Sequence, residues 1–389
     1  MSLCVRSRVH AARRAGGWIA VVGVAALVGC ASDPRLRRPA APKPDDVRAL
    51  IVKLLPANTP EREGWAVDIY AAFAALAIEP DVPNLCAVLA VTEQESTFQA
   101  DPPVPELPKI ARAEIDRRAA RLGVPRFAVS LALKLPSPDG RSYAERIGAV
   151  RTERELSEIF ESFVGRVPLG ERLFAGLNPV RTGGPMQVSI AFAERQAQQG
   201  YPYPVEVSIR REVFTRRGGL YFGIAHLLDY EAPYDSHLYR FADFNAGRWA
   251  SRNAAFQHAV SRASGIPLVL DGDLIRRGHD AAAANPGSTE LAVRALGARI
   301  DASDAAIRRA LEQGDGPEFE RSDVYERVFA LADRLEGRPL PRARIPDIEL
   351  KGPKIARKLT TRWFAERVET RHRRCVARVP APAPAGRGN

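Results

Sequence analysis

Pro83-Asn84-Leu85-Cys86-Ala87-Val88-Leu89-Ala90-Val91-Thr92-Glu93-Gln94-Glu95-Ser96-Thr97-Phe98 is the stretch that decides how this chain is read. A helix opens near Pro83 and carries apolar side chains towards Glu95. At about 100° per residue, Leu85, Val88, Thr92 and Glu95 share one face, while Glu93 points roughly 140° away from Val88. Glu95 is therefore the acid aimed at the protein body, at the end of an apolar stripe. Burial disfavours the charged form of a carboxyl, so its pKa is expected to be raised, as a general acid for glycosidic cleavage requires. Taken alone, a glutamate that ends a helix is more often structural.

The flanking sequence keeps the same helical period. Leu50, Ile51, Leu54 and Leu55 form one stripe, and Trp65, Ile69, Phe73 and Leu76 form another that closes at Glu79-Pro80. Further helical patterns run from Ile110 to Leu122, from Leu156 to Phe163, and over 189–199, 219–230, 247–263, 290–312, 322–335 and 354–374. A short apolar run, Ile266 to Leu270, precedes a loop rich in Gly, Asn and Pro. There is no repeat, no heptad array and no run of strands. The fold class expected is mainly α.

Two later segments join Glu95. Gly184-Pro185-Met186-Gln187-Val188 follows a glycine turn, and Ala242-Asp243-Phe244-Asn245-Ala246-Gly247 comes after it. In this order, E-S-T-F, G-P-M-Q and A-D-F-N-A-G resemble the motifs E-S-x-F, G-L-M-Q and A-Y-N-A-G of the lytic transglycosylases of the lysozyme-like superfamily. The match runs from about 83 to 255. It implies a lysozyme-like helical domain over 45–265, with a large insertion at about 104–178 that would act as a lid or an extra wall. A C-terminal helical extension over 266–379 and a disordered tail over 380–389 complete the expected organisation. The chain as a whole also resembles an uncharacterised family of proteobacterial lipoproteins.

The resemblance implies that Glu95 is the catalytic acid and that Met186 and Gln187 line the sugar cleft. Phe244 and Asn245 would support the glutamate and the bound aminosugar, Ser96 would hold the local geometry, and Phe98 would pack beneath it. The reaction implied is cleavage between N-acetylmuramic acid and N-acetylglucosamine with one carboxyl acting first as acid and then as base. A muramidase, the second choice, would want another acid, for which Asp101 and Asp243 are the candidates. The other class of function is a non-catalytic envelope protein that binds peptidoglycan or a protein partner. Two departures stand out. The interval between Glu95 and Gly184 is much longer than in the family, and Phe244 lacks the hydroxyl of the usual tyrosine, which Tyr230, Tyr234 or Tyr239 would have to replace.

The N-terminus gives the compartment. Arg6, Arg8, Arg13 and Arg14 precede an apolar stretch, Trp18 to Val28, too short for a comfortable permanent span, and Leu27-Val28-Gly29-Cys30 ends it. This looks like a lipoprotein signal peptide over 1–29, with Cys30 acylated (palmitate among its acyl chains) and 30–44 as a proline-rich tether. Ala31 after the cysteine resembles the outer-membrane sorting pattern, so the body is expected in the periplasm, held to the membrane through the lipid on Cys30.

Charge and cysteines agree with that compartment. The net charge is +11, and loss of the four leader arginines leaves +7. Much of the excess lies between Lys351 and Asn389, where eleven Lys or Arg face two Glu. Beyond the inner membrane the available anions are peptidoglycan carboxylates and lipid phosphates, so no nucleic-acid partner is expected. Cys86 and Cys375 are left once Cys4 and Cys30 are accounted for. In an oxidising periplasm they form one disulfide or stay as two buried thiols. The histidines are scattered without HExxH spacing, and no P-loop or G-x-S-x-G elbow occurs, so no metal or cofactor is expected. Asp271-Gly272-Asp273 reads as a turn before it reads as a cation site.

Overall fold

The computed structural model describes residues 43–166, 177–276, 285–350 and 358–379. Cys30, its leader and the tail from 380 lie outside the described residues. Lys43–Asn389 forms one compact unit, and the expectation of a mainly α chain holds. Helices α1 (Pro44–Leu54), α2 (Arg62–Ala75) and α3 (Val82–Ser96) come first. Then follow α4 (Leu107–Arg121), α5 (Arg126–Leu133), α6 (Tyr143–Ala149) and α7 (Glu153–Val164). A small hairpin, β1 (Thr182–Gly183) with β2 (Val188–Ser189), leads into α8 (Ile190–Gly200), α9 (Ile209–Val213) and α10 (Arg216–Leu228). Helices α11 (His237–Ala246), α12 (Ala250–Ser264), α13 (Ser288–Arg294), α14 (Asp304–Glu312) and α15 (Asp323–Glu336) continue the chain. A second two-stranded pair, β3 (Glu349–Leu350) and β4 (Leu359–Thr360), runs straight into α16 (Thr361–Val376).

Local chemistry explains most of these boundaries. Asp81 caps α3 by accepting from the Asn84 amide (2.8 Å), and Pro83 occupies the first turn, where its missing N–H costs nothing. Ser142 and Thr152 open α6 and α7 with capping boxes closed by Glu145 and Glu155. The expected helix over 290–312 is two helices, since Gly297 and the left-handed Asp301 break the run between α13 and α14. The apolar run Ile266–Leu270 forms no regular element.

Two apolar cores organise the unit. The larger is centred on α3 and α10, both buried on nearly every side, with α2, α8, α11 and the hairpin around them. The smaller gathers Ala255, Phe256 and Val260 of α12 with α13, α14 and α15. Helix α16 then returns to the first core, where Phe364, Ala365 and Val368 are buried and its main neighbours are α3 and α11. The region expected as one extension over 266–379 is thus shared between the two cores. The segment expected as an insertion folds largely on itself: α4 packs on α5 and α6, and α6 on α7. It is pinched at its base, where the Val104 amide donates to the Arg151 carbonyl at 2.9 Å beside a Pro103–Thr152 bridge. No helix among the described residues is long and apolar enough to cross a membrane.

Candidate active site

Glu95 lies half-buried on the last turn of α3. The helix stops because Thr97 and Phe98 both take left-handed backbone angles (φ 53° and 59°), an unfavourable pairing for non-glycine residues that tertiary contacts must hold. Phe98 supplies one such contact, packing edge-on against Trp65 with ring centroids 5.5 Å apart. Ser96 supplies another: its hydroxyl donates to the Thr92 carbonyl (3.1 Å) and accepts from the Gln99 amide (3.3 Å). These two residues fold the turn that follows the glutamate. Glu93 is not left to solvent on the far side of α3, because α16 covers that side and Arg371 Nε sits 3.4 Å from its carboxylate.

The second segment is the turn of the β1–β2 hairpin. The Gln187 amide donates to the Gly184 carbonyl (3.1 Å), and Gln187 itself has φ 50°. Gln187 Nε2 donates to the same carbonyl (3.3 Å), and its Oε1 accepts from the Thr182 hydroxyl (3.4 Å). Met186 is fully buried against Gly223 of α10, where a Cβ would collide with the thioether. Met186 therefore seats the turn on the core and offers no surface to a sugar, contrary to its expected place in the cleft wall. Gly184 is irreplaceable on two counts: φ is 72°, and a Cβ would strike the Val213 carbonyl oxygen. Gly184→Ala is expected to cost at least about 2 kcal/mol, from left-handed strain plus a backbone clash. Urea denaturation measures it, and an unchanged midpoint would show that the turn relaxes.

The third segment is the last turn of α11 and its C-cap, Gly247 (φ 113°). Asp243 is fully buried and accepts from the Tyr234 hydroxyl (2.7 Å), the Tyr230 hydroxyl (3.1 Å) and the Ser251 amide (2.6 Å). Burial pushes its pKa up to about 6 against the pull of those hydrogen bonds. Tyr230 and Tyr234 thus give their hydroxyls to Asp243 and not to the position of Phe244, and Tyr239 contributes its carbonyl to Ser251. Asp243 has no surface from which to act as the second acid of a muramidase. Asp101, the other candidate, is half-buried, paired with Arg154 at 3.0 Å, and has its pKa raised by burial.

Phe244 packs at a tilt against His226 (centroids 5.1 Å apart), and its carbonyl lies 3.3 Å from His226 Nε2. Asn245 Oδ1 accepts from the Thr361 hydroxyl (2.9 Å), so this side chain ties α11 to the start of α16. Arg248 lies over the rings of Phe192 and Tyr230 and donates to the His226 carbonyl (3.2 Å). His226, Arg248 and Thr361 were not visible as partners in the sequence, since each is joined to the motif only through packing. Asp271 is a turn residue as expected: its Oδ1 accepts from the Asp273 amide (2.9 Å) and from Gln257 Nε2 (2.8 Å). Among the described residues no cluster of His, Cys, Asp or Glu could hold a metal ion.

The buried groups make opposing contributions to stability. His226 is pushed down to about 4 by burial and then by Arg248, and His237 to about 4 by burial and then by His372. A base whose folded pKa is lowered binds fewer protons when folded, so its contribution to stability grows from pH ~4 to ~6.5. Asp243, raised to about 6, does the reverse: its contribution is complete below ~4 and lost as pH climbs through about 6. Asp243→Asn is therefore expected to steepen the rise of Tm between pH 4 and 6.5. Parallel profiles for variant and parent at fixed ionic strength would refute this.

All three segments contribute to the larger core: Phe98, Met186 and Ala242 are buried in it, and Phe244 packs against it. They also lie within one family match, since the model described as "Protein of unknown function (DUF1615)" covers residues 58–378. The chain belongs to the DUF1615 family. The DUF1615 match ends beyond Cys375, so α16 and its ties to α3 and α11 are part of the family unit. The chain is similar to "Uncharacterized protein YaiW" of Escherichia coli (strain K12), with 52% identity over 358 residues, covering 92% of this chain and 97% of the relative. No solved structure matches the chain.

Proposed function

We propose that this DUF1615 protein is a lytic transglycosylase with a lysozyme-like domain that cleaves peptidoglycan between N-acetylmuramic acid and N-acetylglucosamine. The observation that carries the reading is that all three motif segments, far apart in sequence, meet α10: Met186 packs on Gly223, Phe244 lies beside His226, and α3, with Glu95 half-exposed at its end, runs alongside. Glu95 protonates the bridging oxygen. The acetamido carbonyl of the substrate stabilises the oxocarbenium-like centre, a route that needs one protein carboxyl and not two. The glutamate then takes the proton of the sugar's C6 hydroxyl, whose oxygen closes on C1 to give a 1,6-anhydro product. In this reading the protein is held through acylated Cys30 to the outer membrane and works from the periplasm.

The second reading is a non-catalytic envelope lipoprotein that binds peptidoglycan or a protein partner. It is favoured by the commitment of Asn245 to Thr361 and the burial of Met186, which remove two side chains from a sugar-binding role. Digestion of purified sacculi with the Ala31–Asn389 protein, which keeps the whole compact unit, separates the two. Anhydro-muropeptides in the supernatant support the transglycosylase, and reducing ends would mean hydrolysis. Co-sedimentation without product release would establish binding alone.

A further inference from the structure

The α4–α7 segment encloses a cavity of about 260 Å³ that none of the three motifs borders. Its walls are apolar on every side: Ile115 and Ala119 of α4, Ala132 of α5, Ile147 of α6, and Ile159 and Phe160 of α7 among them. The one hydroxyl on a lining residue, that of Tyr143, is already used, donating to the Ser162 carbonyl (3.0 Å). Such walls offer nothing to a sugar or a peptide backbone, whose polar groups would be desolvated without partners. Apolar cavities of about 150 Å³ stay dry and take up hydrocarbon. This one is larger than that.

The cavity also reaches the surface. Val124 both lines it and is 39% exposed; Leu122 beside it in the α4–α5 turn and Phe127 (76% exposed) in the first turn of α5 are exposed too, as are Leu131 and Leu135 further along. Helix α5 is thus apolar on both faces: Val129 and Leu133 turn inwards, while Phe127 and Leu131, one turn apart, face out. Exposed apolar side chains at this density on one short helix and the turn before it suit a binding surface. Its surroundings are basic, with seven Lys or Arg against two acids between Leu107 and Leu135. Arg121 and Lys134, which directly precede Leu122 and Leu135, are exposed and make no ion pair among the described residues.

We propose that this cavity holds the hydrocarbon chain of an anionic single-chain amphiphile, with its head group at Arg121, three residues before Val124. The chain enters past Val124 between α4 and α5, and each methylene buried there adds its transfer free energy. Phe127 and Leu131 shield the part of the chain next to the head.

Dodecanoate and dodecanol, each below its aggregation limit, test this on the Ala31–Asn389 protein by calorimetry and native mass spectrometry. Dodecanoate is expected to bind one to one. Ala132→Phe, which fills the cavity, is expected to weaken both ligands at least tenfold. Arg121→Glu, at the exposed rim, is expected to weaken dodecanoate at least fivefold and leave dodecanol within twofold, so the proposal stays testable should Ala132→Phe fail to fold. No binding of either ligand by the parent protein, or the same loss for both ligands in the rim variant, overturns the proposal. So does a third result: binding to anionic phosphatidylglycerol vesicles that Phe127→Ser with Leu131→Ser abolishes, together with no uptake of free dodecanoate, which would make α5 a membrane-docking surface instead.

Discussion

Glu95→Gln is expected to lower the release of anhydro-muropeptides from sacculi by about 10³-fold while leaving the fold intact. A positioned general acid contributes about 10²–10⁴ in rate, and in the proposed route the same group also serves as the base, so both proton transfers fail together. Glutamine keeps the size and polarity of the side chain but has no proton to give at the required pKa. The half-exposed place of Glu95 on the last turn of α3 makes the substitution a mild one for packing, so thermal denaturation should move little. Phe98→Ala provides the contrast. It removes the edge-on contact to Trp65 that holds the left-handed turn, so it should reduce activity and stability together. Unchanged turnover in Glu95→Gln would end the enzymatic reading and leave binding.

Removal of the Cys86–Cys375 disulfide is the second large effect expected. The bond joins α3 to α16 across 289 positions, so in the unfolded chain it closes a very long loop. Loss of such a constraint costs about 2–5 kcal/mol. Non-covalent packing also holds α16: Thr361 on Asn245, His372 Nε2 3.1 Å from the Pro83 carbonyl with its ring on His237 and Phe241, Arg371 beside Glu93, and the buried Phe364, Ala365 and Val368. Cys86→Ser with Cys375→Ser, or reductant on the parent protein, should lower the urea midpoint and open the chain to proteolysis near α16 before the rest unfolds. Equal midpoints with and without reductant would contradict this. The bond also fits an oxidising compartment, where such cross-links persist.

Much of the candidate site was legible in the sequence because its signals are local. Helical period put Glu95 at the end of an apolar stripe, and α3 ends there with Leu85, Val88 and Thr92 fully buried. Other features depended on partners distant in sequence. Nothing near Glu93 announces that Arg371 meets it, and nothing near Asp243 identifies Tyr230 and Tyr234 as its hydrogen-bond donors. Met186 looked like a cleft residue and is a core residue, because whether a side chain is buried is set by what packs over it, here Gly223. The apolar faces of α5 were missed altogether, being too short for a period to emerge from eight residues.

The mainly helical class, the longer helices such as α3 and α15, and the turn at Asp271 were therefore determined by the sequence itself, since periodicity and turn chemistry act within a few residues. Only the tertiary structure decided that α16 closes over α3, that Cys86 and Cys375 are bonded, that Asp243 sits sealed among tyrosines, and that α4–α7 enclose a cavity. Each of those facts is a meeting of surfaces from distant parts of the chain. Such meetings follow from how the whole set of apolar faces can be buried at once, which no local window of sequence contains.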